Sequence, residues 1–481
     1  MIAVVLAVVL AQAPAASDMG SAASTSVEGR PAARDISPLQ VLVDRASPGD
    51  RLDVPAGEYR GDLLIDKPIR LVAVGAVRLV GSGTGSVVRV RAADVEIDGF
   101  AIDGRGGGDL GRDASGIHVA APRARIRNCA VSNALFGIYL READDARVER
   151  CRIRGIPGKA PGEKGSGVHV WNTLGFTLED NEIADVRDGF YIQSSSNGTI
   201  RGNRARDLRY GLHYMFSDDN VFEDNVFERG DAGTALMYSK RIIFRRNRFL
   251  HNRGFASVGL LFKACDDVIA EDNLIADNAR GIFVEGSYRN VFRRNIIAES
   301  DIAIVMYDTD GGHRFEGNAF VGNLSPLMLV GRRTDTRFDG NYWSDNRQPD
   351  LDGDGVSDRP HLLVNVFDHL RSNLSAADLM AQGFAAAALG AAEETFPVIA
   401  PLPIADRAPL ARMPALAAVP SPDRQASRTG VLGVAMCGMA FAGGVRAFRH
   451  ARPAGVSIRL KPGATEDAEQ QQVRPSAGGR A

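Results

Sequence analysis

The 481-residue chain is short of cysteine, net charge and clustered basic residues, and each shortage removes a class of function. Four cysteines are present, Cys129, Cys151, Cys265 and Cys437, and none forms a CxxC pair, so a zinc or thiol-redox site has no support. The formal net charge is -2 and no basic run or basic helix stands out, whereas phosphate binding needs a concentrated Lys/Arg surface. Nucleic acid is therefore not expected as a partner. Glycine, in contrast, is abundant at 52 residues, more than an ordinary globular domain carries.

The glycines fall in a repeat. Gly occurs at 167, 189, 211, 233, 259 and 281, each 14 residues ahead of an Asn at 181, 203, 225, 247, 273 and 295, and the Asn series continues to 318 and 341. After each Gly, apolar residues alternate, as in Val168 and Val170, Phe190 and Ile192, Leu212 and Tyr214. A period of two marks β-strand. Short strands that recur about every 22 residues cannot each bury a face alone, so they must stack. The expected fold is all-β: a right-handed parallel β-helix over residues 35–346, one coil per repeat, with equivalent residues about 4.8 Å apart along the axis. Gly is expected at the corners for its tolerance of positive φ, and the stacked Asn amides are expected to satisfy one another. A short N-terminal cap helix around Leu39 to Ala46 should cover the first coil, because an open solenoid end exposes unpaired edge groups.

Stacking turns sequence offsets into a surface map. Positions one and three after Gly point inward, and positions two and four outward. The first outward column reads His118, Tyr139, His169, Tyr191, His213; the second includes Trp171, Gln193, Met215, Met237, Lys263 and Glu285. A face that meets only water should carry Thr, Ser, Lys and Glu. Two readings fit this one. His118, Tyr139, His169, Trp171, Tyr191 and Gln193 suit a partner-docking face. Met215 and Met237, expected about 5 Å apart, with His213 about 7 Å along the strand, form a candidate copper(I) site, since thioether and imidazole select that ion over harder ones. Cys129 and Cys151 fall in or beside the Asn column of adjacent coils, close enough for a disulfide in an exported protein.

The flanks are read as follows. Residues 1–16 have the apolar core and small-residue end of an export signal. In the Asp-rich loop 347–366, "DLDGDGVSDRPH" offers Asp350, Asp352, Asp354, the Val356 carbonyl and Asp358 at calcium-loop spacing, although His361 stands where a bidentate carboxylate is expected. Residues 367–415 read as a helical segment followed by a Pro-rich extended one, 416–428 as a linker, 429–446 as a candidate C-terminal transmembrane helix followed by Arg446, Arg449 and Arg452, and 447–481 as a polar disordered tail. Together these place the body outside the cytoplasm, with membrane anchoring through residues 429–446.

Specific segments carry a family resemblance over about residues 35–415. "GLHYMFSDDN", "ALMYSKR" and "GIFVEGSYRNVFRRN", followed by "GNYWSDNRQPDLDGDGVSDRP" and "FPVIAPLPIADRAPL", resemble the NosD family of periplasmic accessory proteins. The resemblance implies a non-enzymatic part in assembling the copper centre of nitrous oxide reductase, with an ABC transporter ATPase and permease and a copper chaperone as partners. His213, Met215 and Met237 would then form a transient copper-handling patch. The candidate anchor departs from what a typical family member is expected to carry. The alternatives are a polysaccharide lyase or epimerase, which shares this architecture, and a structural carbohydrate-binding surface protein. Enzymatic chemistry needs convergent acid and base groups, and the outward columns contain few carboxylates.

Overall fold

The computed structural model describes residues 37–107, 114–254, 257–309, 311–331, 335–363 and 404–415. The expected signal, linker, anchor and terminal tail lie outside these residues, as does the segment expected to be helical between 364 and 403. The described chain winds into a right-handed parallel solenoid of about 13 turns. Each coil contributes strands to three walls. In wall A, Ser166–Trp171 pairs in parallel with Phe136–Arg141 on one side and Asp188–Gln193 on the other. The ladder continues through Arg204–Met215, Val226–Lys240, Val258–Asp266 and Arg280–Glu285 to Ile302–Tyr307 and Ser325–Val330.

The predicted alternation holds. Val168, Val170, Phe190, Ile192, Leu212 and Tyr214 are all fully buried. Each such side chain contributes about 1.5–3 kcal/mol by leaving water. Inside, like stacks on like: Phe222 lies 4.7 Å from Phe244, and Phe292 lies 4.4 Å from Phe315, with nearly parallel rings.

The Asn column is a continuous buried ladder. Asn203 donates from its backbone N and its Nδ2 to Asn225 Oδ1 at 3.0 Å, and Asn225 does the same to Asn247 at 3.0 and 2.9 Å. Each Nδ2 also reaches a carbonyl of the coil before, as Asn225 does to Ile200 at 2.8 Å. Cys129 and Cys151 occupy the opening positions of this column: Cys151 Sγ lies 3.7 Å from Ile126 O, and Cys151 N donates to Asn181 Oδ1 at 2.9 Å. The expected disulfide is not formed, and both are buried free thiols. Each sulfur has turned to the carbonyl two residues before it, Arg127 O at 3.1 Å and Glu149 O at 3.4 Å. Interaction with Cys151 and burial push the Cys129 thiol well above its ordinary range.

The explanation expected for the Gly column needs correction. None of Gly167, Gly189, Gly211, Gly233, Gly259 and Gly281 has positive φ. They are glycines because a Cβ would collide: at Gly211 it would sit 2.6 Å from Gly233 O and 2.7 Å from the Phe227 ring. Left-handed backbone falls instead on turn residues such as Asp180, Asp224 and Arg246.

Both ends of the solenoid are covered. The helix Pro38–Arg45 buries Leu39 and Val43, and Gln40 bonds both N and O of Leu64 in the first wall A strand, at 2.8 and 3.0 Å. At the other end the described part of the Pro-rich segment is a cap and not a free extension. Ala405–Asp406 pairs with His361–Leu362, and Asp406 Oδ2 accepts from Asn341 N and Nδ2 and from Trp343 Nε1 at 2.9, 2.8 and 3.1 Å. A carboxylate is the natural terminator of an amide ladder, because it accepts without needing a further acceptor.

Candidate functional site

Wall A carries the outward columns in the predicted register. His118 pairs with Tyr139, Tyr139 with His169, His169 with Tyr191 and Tyr191 with His213. Their rings form one column, with centroids 5.0, 4.5, 4.4 and 4.8 Å apart in that order, stacked in the first and third pairs, tilted in the second and edge-on in the last. It ends at His213, whose next register partner is Ala235. Burial in the stack lowers the His169 imidazole to about 3, so that ring is neutral. Tyr139 departs from its expected place on a docking face: only 3% is accessible, because Phe136, His118 and His169 enclose it. Trp171 is half-buried beneath the Arg141 guanidinium, 4.9 Å above its ring, and Gln193 accepts a 2.8 Å bond from Tyr191 Oη.

Met215 and Met237 are direct register partners on the outward face, both half-buried, with His213 two residues before Met215 on the same strand. The Met215 thioether lies 3.9 Å from the Tyr191 hydroxyl, a weak contact that an incoming ion can displace. On the far side Met237 is followed by Lys263, whose ammonium is neutralised by Glu285 at 2.9 Å. The side chains brought side by side are two thioethers and an imidazole, groups that would suit Cu(I) and not a hard ion.

Sequence reasoning missed the groups behind His213. Asp188, nearly fully buried, opens the strand one coil earlier and accepts Arg209 Nε and Nη2 at 2.9 and 2.6 Å. His213 Nδ1 lies 3.3 Å from Asp188 Oδ2. Burial would raise the Asp188 carboxyl, but its bonds to His213 and Arg209 outweigh that and hold it below the ordinary range. Arg209 in turn lies 4.3 Å over the Tyr210 ring, which meets His213 edge-on at 5.3 Å. The available signal was positional: Asp188 immediately precedes Gly189, where the neighbouring coils have Ser166 and Tyr210.

At the edge of the same wall, Phe216 and Tyr238 follow the two methionines. Both have left-handed backbone, φ 50 and 52, both are about half exposed, and their rings stack 5.2 Å apart.

The acidic loop is a separate feature. Carboxylates of Asp350, Asp352 and Asp354 lie within 4.8 Å of one another. They accept loop N–H groups from Gly353, Asp354, Gly355 and Val356, while Asp358 accepts from Leu351 at 2.6 Å. His361 is 3.5 Å from Asp345, and Val356 bridges to Leu410 of the cap. The turn is held by its own backbone donors, and calcium gains no support beyond the clustering.

Fold and wall together define a right-handed parallel β-helix with a soft-donor patch on one outward face. Residues 77–230 match the family described as the right-handed beta helix region, and residues 155–348 match the periplasmic copper-binding protein (NosD) family. The probable ABC transporter binding protein NosD of Stutzerimonas stutzeri is 30% identical over 387 residues, covering 76% of this chain and 87% of that one. Its Pseudomonas aeruginosa counterpart is 29% identical, covering 79% and 92%. The chain belongs to the NosD family. Among solved structures, the A-module of mannuronan C-5 epimerase AlgE6 from Azotobacter vinelandii is similar, with TM-score 0.55 and 15% identity over 64% of this chain and 94% of that one. At that identity the likeness speaks for the fold alone. No helix among the described residues is long and apolar enough to cross a membrane.

Proposed function

We propose that this chain is a non-enzymatic periplasmic accessory protein that handles copper(I) as cargo on His213, Met215 and Met237 during assembly of the copper centre of nitrous oxide reductase. The observation that carries the reading is the direct pairing of Met215 with Met237 on the outward face, beside His213 and away from the core. Two thioethers and one imidazole give an under-coordinated soft site, which suits an ion that must be passed on. The relatives' names as probable ABC transporter binding proteins support an ATPase and permease as partners. A copper chaperone would deliver the ion, with the half-buried rings His118, His169, Tyr191 and Trp171 suited to protein contact.

The competing reading is a polysaccharide lyase or epimerase. One observation counts against it: the outward rings pack on one another, His118 on Tyr139 at 9° and His169 on Tyr191 at 28°, so those faces are covered by neighbours and not open to a sugar. The buried carboxylate at Asp188 is also committed to Arg209.

The test has two arms. Purified protein should take up one Cu(I) against a chromophoric chelator, and the paired substitution His213→Ala with Met215→Ala should abolish uptake. Pull-down from solubilised membranes should recover an ATPase and a permease. Oligosaccharide turnover without Cu(I) uptake would overturn the assignment in favour of the enzyme.

A further inference from the structure

The copper reading leaves one arrangement unused: a nearly fully buried carboxylate and a guanidinium held directly behind the imidazole. Asp188 has 3% side-chain exposure and Arg209 grips it through two N–H groups, at 2.9 and 2.6 Å. A buried ion pair of this quality costs more in desolvation than a pair of apolar residues would, so stability alone is a weak reason for it. What it does locally is fix a proton. His213 Nδ1 lies 3.3 Å from Asp188 Oδ2, and a carboxylate gripped by a guanidinium can only accept there. A hydrogen on Nδ1 completes that contact. Arg209 Nη2 is the other group near Nδ1, but at 3.5 Å it is the longer of the two contacts, and it makes its short bond to Oδ2 at 2.6 Å. In a neutral imidazole one nitrogen donates and the other holds the lone pair, so Nε2 is left as the ligating nitrogen.

We propose that Asp188, locked by Arg209, is a positioning residue that holds His213 in the Nδ1–H tautomer and presents Nε2 as the donor that joins the thioethers of Met215 and Met237. The inference rests on the copper reading for its purpose, but its physical content belongs to the metal-free protein. Tyr210 completes the support, with its ring against both Arg209 and His213. Tyr191, the register partner of His213, closes the other side at 4.8 Å. The imidazole is thus held on three sides and keeps 12% of its side chain accessible. A partner of this kind on a ligating histidine raises metal affinity by about 10–100-fold.

The experiment uses the full-length protein labelled with 15N-histidine. In the metal-free wild type, at a pH where the imidazoles are neutral, long-range 1H–15N correlation should show His213 with a protonated Nδ1 and a bare Nε2. Asp188→Asn, whose amide can turn to donate, should shift His213 toward the Nε2–H form and weaken Cu(I) binding about 10–100-fold in chelator competition. Arg209→Gln leaves the carboxylate in place but unlocks it, and should give a smaller loss; it also serves where Asp188→Asn does not fold. The proposal is overturned if wild-type His213 is the Nε2–H tautomer, or if a folded variant changes neither the tautomer nor the affinity. A wild type with the Nδ1–H tautomer that takes up no Cu(I) sinks the copper reading and leaves the positioning of His213 supported.

Discussion

The inner Asn ladder and the outer columns of wall A are built by the same vertical registry, yet they end in opposite conditions. Inside, every Asn oxygen accepts from the preceding coil, every amide finds two acceptors, and Asp406 closes the series. No bonding capacity is left over. Outside, the run of rings stops at His213, and of the two thioethers beyond it Met215's meets the Tyr191 hydroxyl at 3.9 Å, a weak contact. Repetition that saturates its groups makes structure, and repetition that breaks off leaves lone pairs for chemistry.

The sharpest way to break the comparison is to remove one inner rung. Asn225→Ala deletes the acceptor of Asn203 N and Nδ2 and the donors to Ile200 O and Asn247 Oδ1. Each buried group left unpaired costs about 1–3 kcal/mol, so a loss of about 4 kcal/mol or more is expected in urea denaturation. Cu(I) uptake by the protein that remains folded should not change.

A second test uses pH. His313 is fully buried, accepts at Nδ1 from Asn290 N at 3.2 Å and meets Thr309 Oγ1 at 2.9 Å through Nε2. Burial lowers it from 6.5 to about 4. The folded value lies below the unfolded one, so between them the unfolded chain binds more protons and stability rises with pH. The contribution is complete above about pH 6.5 and is lost as the pH falls toward 4, at about 1.4 kcal/mol per unit. His313→Asn should flatten that part of the profile; an unaltered slope between pH 6.5 and 4 would show that His313 is not the group responsible.

Much of this was legible in the chain. The spacing of Gly211 from Asn225 and the alternation of Leu212 and Tyr214 fixed coil length, wall and facing, because a solenoid converts period directly into position. Met215 and Met237 were readable as neighbours for the same reason. The role of Gly211 was not: a glycine needed for positive φ and one needed for close approach look identical in sequence, and the backbone angle together with the 2.6 Å that a Cβ would leave to Gly233 O separates them. Asp188 was missed because its effect depends on Arg209 and His213 in the next coil, and a charged residue just before a strand glycine has an ordinary solvent-facing reading. The Cys129–Cys151 pair was placed in the right column, but column position does not decide which way a sulfur turns.

The outer region should respond differently to change. Met215→Leu with Met237→Leu keeps volume and apolarity, so stability should shift by less than about 1.5 kcal/mol. Cu(I) affinity should nevertheless fall by at least about tenfold, because both soft donors are gone. Chelator competition beside a urea titration on the same sample separates the two. Equal Cu(I) affinity in the double variant would remove the methionines from the site.

The smallest effect is expected at Phe216. Its backbone is left-handed at φ 50, a region that bulky side chains avoid and Asn tolerates, and the residue is 55% exposed. Phe216→Asn relieves strain of about 1–2 kcal/mol and gives up a stack on Tyr238 worth about 0.5–1.5 kcal/mol. The two nearly cancel, so the urea midpoint should move by no more than about 0.5 kcal/mol in either direction. That near-neutrality is informative because the same chain is expected to lose several kcal/mol when one inner amide is removed. A loss above about 2 kcal/mol at Phe216 would mean that the outer edge is built for stability as the ladder is, and the contrast between the two regions would fail.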